Sequence, residues 1–444
     1  MGKTKIYTFS GGIHPHDMKA ATKDKPIIDL EAPGELVFPL QQSIGAPANP
    51  CVEVGERVLM GQKIAEAGGF VSANIHSSVS GTVKAIEDRI HPNGVKMKAI
   101  IIENDRLEEV ADELTPLDEK TVTAAEIVER VRAAGIVGMG GATFPTHVKL
   151  SPPEDKKIEY AIVNGAECEP YLTSDHRAML ETADEVIAGL KLIMKALGLN
   201  KGYIAVETNK LDAIAKLKEY AAKESDVEIN IVGVKTKYPQ GSEKHLIKAL
   251  TGRCVPPGKL PMDVGAVVNN IDTCAAIARA VLKGQPLIRR IVTVSGDCIT
   301  EPLNFRVPIG TSFQYLAEKC GGFTKPAAKI IMGGPMMGMA LTELDVPVVK
   351  GSSGMLAFSE EMALPQPTAN CLRCGRCVTG CPMNLIPNVI KEAVCANDFE
   401  KLAKLNLNDC IQCGSCTYVC PAEQHPLQYV RTGKAKLSRR EVKA

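Results

Sequence analysis

The sequence lacks several features that would place it in a common class of protein. It has no run of about eighteen apolar residues, the length that a membrane-spanning helix needs, and its first residues contain no apolar segment of the signal-peptide type. Its 52 Lys and Arg residues are balanced by 51 Asp and Glu residues, which argues against a general nucleic-acid binder. We therefore expect a soluble chain that binds no nucleic acid.

In a composition with no tryptophan and 4% aromatic residues, fifteen cysteines are the most informative feature. CLRCGRCVTGCP at 371–382 is followed by CIQCGSCTYVCP at 410–421. Each run has the C-x2-C-x2-C-x3-C-P spacing, in which three thiolates bind one [4Fe–4S] cluster and the fourth binds the neighbouring cluster. The sequence therefore predicts two [4Fe–4S] clusters with exchanged ligands. One is bound by Cys371, Cys374, Cys377 and Cys420, and the other by Cys410, Cys413, Cys416 and Cys381.

A zinc ribbon and a disulfide-bonded knot are the alternative interpretations of these runs. Zinc ribbons use two C-x2-C pairs rather than two runs of four cysteines. Disulfides need an oxidising compartment, which nothing in the sequence suggests. The other cysteines are scattered singly, which is typical of reduced thiols in a cytosolic protein: Cys51, Cys168, Cys254, Cys274, Cys298, Cys320 and Cys395.

At 444 residues the chain is longer than one hydrophobic core usually organises, so we expect a multidomain α/β protein. Residues 1–115 predict a small barrel-sandwich-like β domain, similar to the hybrid fold of biotinyl and lipoyl carriers. The turn ANIHSSVSG at 73–81 has no lysine for a prosthetic group, so this domain should be a scaffold. Residues 121–285 alternate helices with short apolar strands and predict an α/β domain with a largely parallel sheet.

The rest of the chain predicts two more domains and a tail. The order strand, strand, helix, strand at 288–345 favours a β-grasp (SLBB-like) module. Residues 360–430 contain both cysteine runs, and the insert at 384–407 has helical periodicity, so this should be a helical two-[4Fe–4S] ferredoxin-type domain. Residues 431–444 hold six Lys and Arg and one Glu, and predict a basic tail.

Loops of the α/β domain are candidates for a second site. GIVGMGGATFPTHVKL at 135–150 supplies Gly138, Gly140, Gly141 and Lys149. The loop follows a helix rather than a strand, so it lacks the context of a dinucleotide-binding turn. Its glycines would let the backbone approach a flat or phosphorylated ligand closely, and a tight structural turn is the alternative.

Two further loops follow strands, where open α/β sheets bind ligands. NGAECEPYLTSDHR at 164–177 is one, and VVNNIDTC at 267–274 is the other, which opens a helix and suits a phosphate. Solvated loop charge is the alternative for the first of these. The candidate side chains are Asn164, Glu167, Asn269, Asn270 and Thr273.

These motifs carry a family resemblance. GMGGATFPTHVK resembles GRGGAGFPTGLK of the FMN- and NADH-binding 51 kDa subunit of respiratory complex I, NGAECEP resembles its NADESEP, and VVNNIDT resembles its INNVET. With the GGIHPH start and the double-cluster end, nearly the whole chain is similar to the family of Rnf electron-transport complex C subunits. The resemblance implies a Rossmann-like α/β domain that binds FMN. The implied FMN contacts are Gly138, Gly140, Gly141, Lys149, Asn164, Glu167, Asn269, Asn270 and Thr273.

The resemblance also implies how NADH reacts. NADH would stack over the flavin near Phe144 and Glu243, the latter in QGSEKHLIKALTGR at 240–253. The candidate catalytic residues are Phe144, Glu167 and Glu243. The sequence departs from the family pattern at three positions, where Met139 replaces an arginine, Ala166 an aspartate and Ser242 a glutamate.

The implied function is electron input from NADH. NADH gives up a hydride and clusters accept single electrons, so a flavin is needed between them. The chain would be a translocase-type subunit of a membrane-bound, ion-translocating NADH:ferredoxin oxidoreductase, peripheral on the cytoplasmic face of the cell membrane. Its partners would be Rnf subunits of types A, B, D, E and G, with ferredoxin an indirect partner. The alternatives are a soluble flavin and iron–sulfur corrinoid reductase, or a flavin-free scaffold that relays electrons.

Overall fold

The computed structural model describes residues 5–112, 114–363 and 366–441. Residues 1–4 and 113 of the predicted first domain, residues 364 and 365 of the predicted cluster domain, and residues 442–444 of the predicted tail lie outside the described residues. The described strands form four sheets of five, six, four and three strands. No described helix is both long and apolar enough to cross a bilayer.

The first two strands of the chain join sheets that are built mainly from later residues. They are β1 (Ile6–Tyr7) and β2 (Ile27–Asp29). The next seven strands form the two small sheets of the N-terminal β domain: β3 (Glu35–Pro39), β4 (Asn49–Pro50), β5 (Arg57–Val58), β6 (Lys63–Glu66), β7 (Ile75–His76), β8 (Gly81–Ile90) and β9 (Lys96–Asn104). Their orders are β3-β9-β8-β5 and β4-β6-β7. The predicted domain of residues 1–115 therefore includes two strands that pair elsewhere.

The α/β domain is built on a parallel sheet with the order β1-β12-β11-β10-β13. Its elements are α1 (Ala124–Ala133), α2 (Thr146–Lys149), β10 (Tyr160–Gly165), α3 (Ser174–Glu181), α4 (Ala183–Ala196), β11 (Lys201–Glu207), α5 (Leu211–Ala221), β12 (Glu228–Val234), α6 (Glu243–Thr251), β13 (Ala266–Asn270) and α7 (Ile271–Lys283). Thr123 and Glu126 form a capping box that begins α1. Buried Phe38 and Ile102 of the β domain share one apolar core with Ile127 of α1, which fixes the two domains against each other.

The third domain is a six-stranded sheet with the order β17-β16-β18-β14-β15-β2. Its elements are β14 (Arg289–Ser295), β15 (Leu303–Pro308), α8 (Phe313–Lys319), β16 (Lys329–Met332), β17 (Met339–Ala340) and β18 (Gly354–Phe358). The predicted order of strand, strand, helix and strand is present, but the sheet also takes β18 from beyond residue 345 and β2 from near the start of the chain. These long-range pairings leave no signal in the local sequence pattern.

The cluster domain is helical in its described residues, as the fold class predicted. Its helices are α9 (Glu360–Ala363), α10 (Arg376–Thr379), α11 (Pro387–Cys395), α12 (Phe399–Lys404), α13 (Ser415–Tyr418) and α14 (Pro426–Glu441). Residues 431–441, predicted to be part of a basic tail, instead continue α14. The physical reason is packing: Val430 is buried, and a side chain at Gly433 would come within 2.8 Å of Val394. This close approach docks the basic segment on the domain.

Candidate functional site

The carboxyl edge of the parallel sheet brings the predicted polar loops together. Asn164 in β10 lies opposite Asn270 in β13. The Asn164 side chain donates a hydrogen bond to the Gly241 carbonyl at 2.7 Å, just before α6 begins. The Asn270 side chain donates to Asp175 Oδ2 at 2.7 Å and accepts from the first N–H groups of α7. The ends of β10 and β13 are therefore joined by hydrogen bonds to the segment before α6 and to the start of α3.

The glycine loop closes on itself and rests on α7. The Gly138 N–H donates to the Phe144 carbonyl at 2.8 Å, and the Met139 N–H donates to Thr273 Oγ1 at 3.0 Å. A Cβ atom at Gly140 would lie 3.0 Å from the Asn270 side chain, which is closer than nearly all real contacts. A Cβ atom at Gly141 would meet no atom within 4 Å. The loop thus packs tightly on one side and faces open space on the other.

Lys149 and Glu243 meet beside this loop. Lys149 Nζ lies 3.3 Å from Glu243 Oε1 and donates to the Val268 carbonyl at 3.0 Å. Their side chains are 24% and 38% exposed, so the ion pair contributes little to stability. Lys149 and Glu243, both predicted as site residues, lie where their charged groups can contact a ligand.

Two buried amide side chains at this edge have no hydrogen-bond partner among the described residues. They belong to Asn269 and Gln240, which are 3% and 0% exposed. Leaving such a group unpaired costs roughly 1–3 kcal/mol, so a bound polar ligand would relieve a real penalty. The site residues thus fit a flavin, which presents hydrogen-bonding groups on a flat ring. Sequence reasoning missed Gln240, although it begins the quoted segment QGSEKH.

Glu167, predicted as a catalytic residue and an FMN contact, is bound by other parts of the protein. Its Oε1 atom accepts the Asp175 N–H at 2.7 Å at the start of α3, and its Oε2 atom lies 3.7 Å from Lys19 Nζ. The side chain is 3% exposed. Because both oxygens are engaged, Glu167 holds α3 and the N-terminal segment in place. Lys19 lies 148 residues earlier in the chain, so no local pattern could indicate this pairing.

A buried charge network supports the same loops. Burial raises the pKa of the Asp175 carboxyl to about 7, and neighbouring Glu167 adds to the effect. Arg290 of β14 contacts Asp272, and its guanidinium also lies 2.8 Å from Met139 Sδ. A cation from the third domain therefore touches the glycine loop at the position where the family pattern has arginine.

Four cysteines that we call the inner set line one pocket. The inner set is Cys381, Cys410, Cys413 and Cys416. The Leu385 N–H donates to Cys381 Sγ at 3.4 Å, and the Gln412 N–H donates to Cys410 Sγ at 3.4 Å. Burial raises the pKa of the Cys416 thiol to about 12, so a thiolate there needs a nearby cation such as iron.

The outer set lines a second pocket. The outer set is Cys371, Cys374, Cys377 and Cys420. The Gln424 N–H donates to Cys420 Sγ at 3.5 Å. The two sets are the same groups of four that the exchanged spacing rule predicts. Within the described ranges, no three His, Cys, Asp or Glu side chains lie close enough together to bind a single metal ion.

The segment before and into α6 connects the two regions. The Tyr238 hydroxyl, 1% exposed, donates to the Cys413 carbonyl at 2.7 Å. His245 Nε2 donates to the Pro382 carbonyl at 2.9 Å. Between these residues in the sequence lie Gln240 and Glu243. We call the carboxyl edge of the parallel sheet, with the glycine loop and these residues beside it, the flavin-type edge. One stretch of eight residues therefore touches both the sheet edge and the inner set, a contact that the sequence did not reveal.

Comparisons with known proteins match this layout. Four family models match in chain order: the RnfC barrel sandwich hybrid domain at 7–107, the Nuo51 FMN-binding domain at 131–279, the SLBB domain at 291–340 and the 4Fe-4S dicluster domain at 363–424. A crystal structure of an NAD+-reducing [NiFe]-hydrogenase in the air-oxidized state has a similar fold, with a TM-score of 0.51 at 21% identity. The similarity covers 70% of this chain and 61% of that chain.

Several curated proteins are similar over most of their length. The C subunit of the proton-translocating ferredoxin:NAD(+) oxidoreductase complex of Clostridium ljungdahlii is 49% identical, covering 96% of this chain and 93% of that protein. The C subunit of the Na(+)-translocating complex of Acetobacterium woodii is 45% identical, covering 90% of each. The C subunit of the ion-translocating oxidoreductase complex of Rhodobacter capsulatus is 44% identical, covering 98% and 84%.

Proposed function

The chain belongs to the family of C subunits of ion-translocating ferredoxin:NAD(+) oxidoreductase complexes, and on this basis we propose that it is the NADH-oxidising, electron-input subunit of such a complex. Its cofactors are FMN and [4Fe–4S] clusters, held by its Nuo51-type and dicluster domains. The observation that carries the proposal is the contact between Tyr238 and Cys413, which joins the flavin-type edge to the inner set in one chain.

FMN, when bound, accepts a hydride and passes electrons on singly. The FMN ring would lie against the glycine loop, because the open side of Gly141 leaves room for a flat ring and Gly140 keeps the loop against Asn270. The unpaired amides of Asn269 and Gln240 donate to and accept from the ligand. The remaining proposed contacts are Gly138, Lys149, Asn164, Asn270 and Thr273.

Residues at the mouth of this pocket orient NADH. Glu243, at the first turn of α6, fixes the nicotinamide side of the substrate, and Phe144 gives it an apolar surface. Lys149 neutralises Glu243 in the absence of NADH, since their charged groups are 3.3 Å apart. Glu167 acts at a distance, by holding α3 and Asp175 beside Asn270, and is a positioning residue.

The cysteine sets each bind one [4Fe–4S] cluster in this proposal. Backbone N–H groups aimed at Cys381, Cys410 and Cys420 stabilise the charge on the thiolates. The inner set would hold the cluster nearer the flavin-type edge, because Tyr238 brings that edge against Cys413. The outer set would hold the cluster farther from it.

As a member of a multisubunit complex, the chain works with other subunits. We place it on the cytoplasmic face of the membrane, docked on Rnf subunits of types A, B, D, E and G, with ferredoxin reached through them. The basic residues of α14 after Thr432 are carried on a helix that docks on the cluster domain, so we assign them no membrane contact.

Anaerobic reconstitution tests the proposal. The loaded chain should hold FMN and about eight iron atoms, and NADH should bleach the flavin absorbance. A chain that takes up iron but no FMN would be a relay scaffold. A chain whose flavin NADH does not bleach, but which reduces a corrinoid with another donor, would be a corrinoid reductase.

A further inference from the structure

The glycine loop is fixed at the residue before Gly140. Met139 occupies this position, is 1% exposed, and has both of its backbone groups engaged. Its N–H donates to Thr273 Oγ1 at 3.0 Å, and its carbonyl accepts from Arg290 Nη2 at 3.3 Å. The path of the loop therefore depends on one residue of α7 and on one residue of β14, which belongs to the third domain.

The Arg290 side chain is buried and held in one orientation. It is 2% exposed. Its Nε atom donates to the Ser352 carbonyl at 3.2 Å, while Nη1 contacts the Asp272 carboxylate and lies 2.8 Å from Met139 Sδ. With Nη2 on the Met139 carbonyl, all three guanidinium nitrogens have partners. Only a planar group with several donors can bridge such partners at once, so lysine could not replace this arginine.

Arg290 also brings a positive charge to the loop. The family pattern has arginine at the position of Met139, and here the guanidinium reaches that position from another domain. Burial raises the pKa of the Asp175 carboxyl to about 7, and the charge of Arg290 acts in the opposite direction. Asp175 accepts a hydrogen bond from Asn270, a proposed FMN contact. The charge of Arg290 therefore reaches the side chains that surround the flavin site, and buried surroundings strengthen its effect.

We propose that Arg290 is a positioning residue for FMN, which holds the glycine loop for the flavin and raises the midpoint potential of the flavin. This role rests on the proposed function and gives the third domain a part in the FMN site. Because the guanidinium is buried, it acts through Met139 and through its charge rather than by contact with FMN. Reduced flavin carries more negative charge than oxidised flavin, so a fixed positive charge nearby favours reduction.

Two substitutions of Arg290 separate its geometry from its charge. Arg290→Met removes both, so the cluster-loaded chain should bind FMN at least about tenfold more weakly, and the bound flavin should have a more negative midpoint potential. Arg290→Lys keeps the charge but cannot serve all of the partners. It should bind FMN more weakly, with a potential close to that of the unaltered chain. Flavin fluorescence titration measures the affinity, and redox titration followed at the flavin absorbance measures the potential.

Arg279→Met is the matched control. Arg279 also pairs with Asp272, since its Nη2 atom lies 3.2 Å from Oδ1 of that carboxylate. The other partner of its guanidinium in the described part of the chain is Glu185 of α4, so the variant removes one arginine from the same network without touching the glycine loop. It should bind FMN with the affinity and the potential of the unaltered chain.

An exchange of the two touching side chains tests whether the charge itself matters. Met139→Arg with Arg290→Met keeps the same pair of side chains in contact but places the guanidinium on the loop. Compared with Arg290→Met alone, the exchanged variant should bind FMN more tightly and have a less negative potential. A purely structural role would not make the potential follow the charge.

Several results would overturn this role for Arg290. They are unaltered FMN affinity and potential in Arg290→Met, equal losses in Arg279→Met, and no recovery in the exchanged variant. If Arg290→Met does not fold, Arg290→Lys decides, and FMN binding as tight as in the unaltered chain would count against the role. The unaltered chain tests the proposed function separately. If it takes up iron but no FMN, the proposed function is wrong, whereas an error confined to Arg290 would leave its FMN bound and bleached by NADH.

Discussion

Replacing Asn269 with leucine should separate stability from flavin binding. Both polar atoms of its side chain are buried and have no partner among the described residues. Leucine has nearly the same shape, so Asn269→Leu removes an unpaired group and should stabilise the flavin-free chain by about 1–3 kcal/mol. A gain of about 2 kcal/mol in the free energy of unfolding should raise the melting temperature of the α/β domain by about 4–8 °C. The same change should weaken FMN binding about tenfold to a hundredfold, because hydrogen bonds to the ligand are lost.

A comparison variant, at another of the proposed FMN contacts, is Asn164→Leu. Its side chain donates to the Gly241 carbonyl and accepts from the Ala166 N–H, so both of its polar atoms are already paired within the protein. This variant should lower stability with or without FMN. Thermal unfolding and flavin fluorescence titration on the same samples measure both quantities. If Asn269→Leu binds FMN as tightly as the unaltered chain, Asn269 does not contact the flavin, and the assignment of the site is wrong.

Four further outcomes follow from the structure. Cys381→Ser should remove the inner-set cluster and spare the other, as iron content and electron paramagnetic resonance would show. Gly140→Ala should weaken FMN binding and lower stability, because its Cβ atom meets Asn270, whereas Gly141→Ala should leave the melting temperature unchanged. Glu243→Gln should retain FMN but slow its bleaching by NADH about tenfold in stopped flow. Lys350→Met should reduce the rise in stability between pH 7 and 10.5, measured by urea unfolding, because burial lowers the pKa of Lys350 to about 7 and in that range the unfolded chain binds the extra proton.

The cysteine spacing predicts which sulfurs bind the same cluster, and the same two groups of four line the two pockets. Each cluster ligand lies at a fixed place in a short run of cysteines. The spacing from Cys371 to Cys381 therefore indicates which cysteines bind the same cluster. The alternation of helices and strands likewise indicated a parallel sheet, and the glycine loop predicts a ligand-binding edge beside it. These features are local, and local chemistry is what a single sequence displays.

The remaining features depend on contacts between distant residues. Gln240 matters because it is buried without a partner among the described residues, which only the packed structure reveals. Glu167 looked like a free carboxylate in a polar loop, but Lys19 and the start of α3 engage it. Residues 431–444 were predicted from their charge to form a basic tail, yet the absence of a side chain at Gly433 lets residues 431–441 pack closely as part of α14.

The pairing of β2 with β15 has a consequence for synthesis on the ribosome. Ile28 lies beside Phe305 in the finished sheet, so the third domain cannot close until residues near 305 have left the ribosome. At about 5–20 residues per second, β2 waits roughly 15–55 s for its partner. All strands of the parallel sheet are synthesised before β15. Within that sheet, β1 also stays unpaired until β12 has been synthesised. During synthesis β1 and β2 therefore stay without their sheet partners until β12 and β15 have been made.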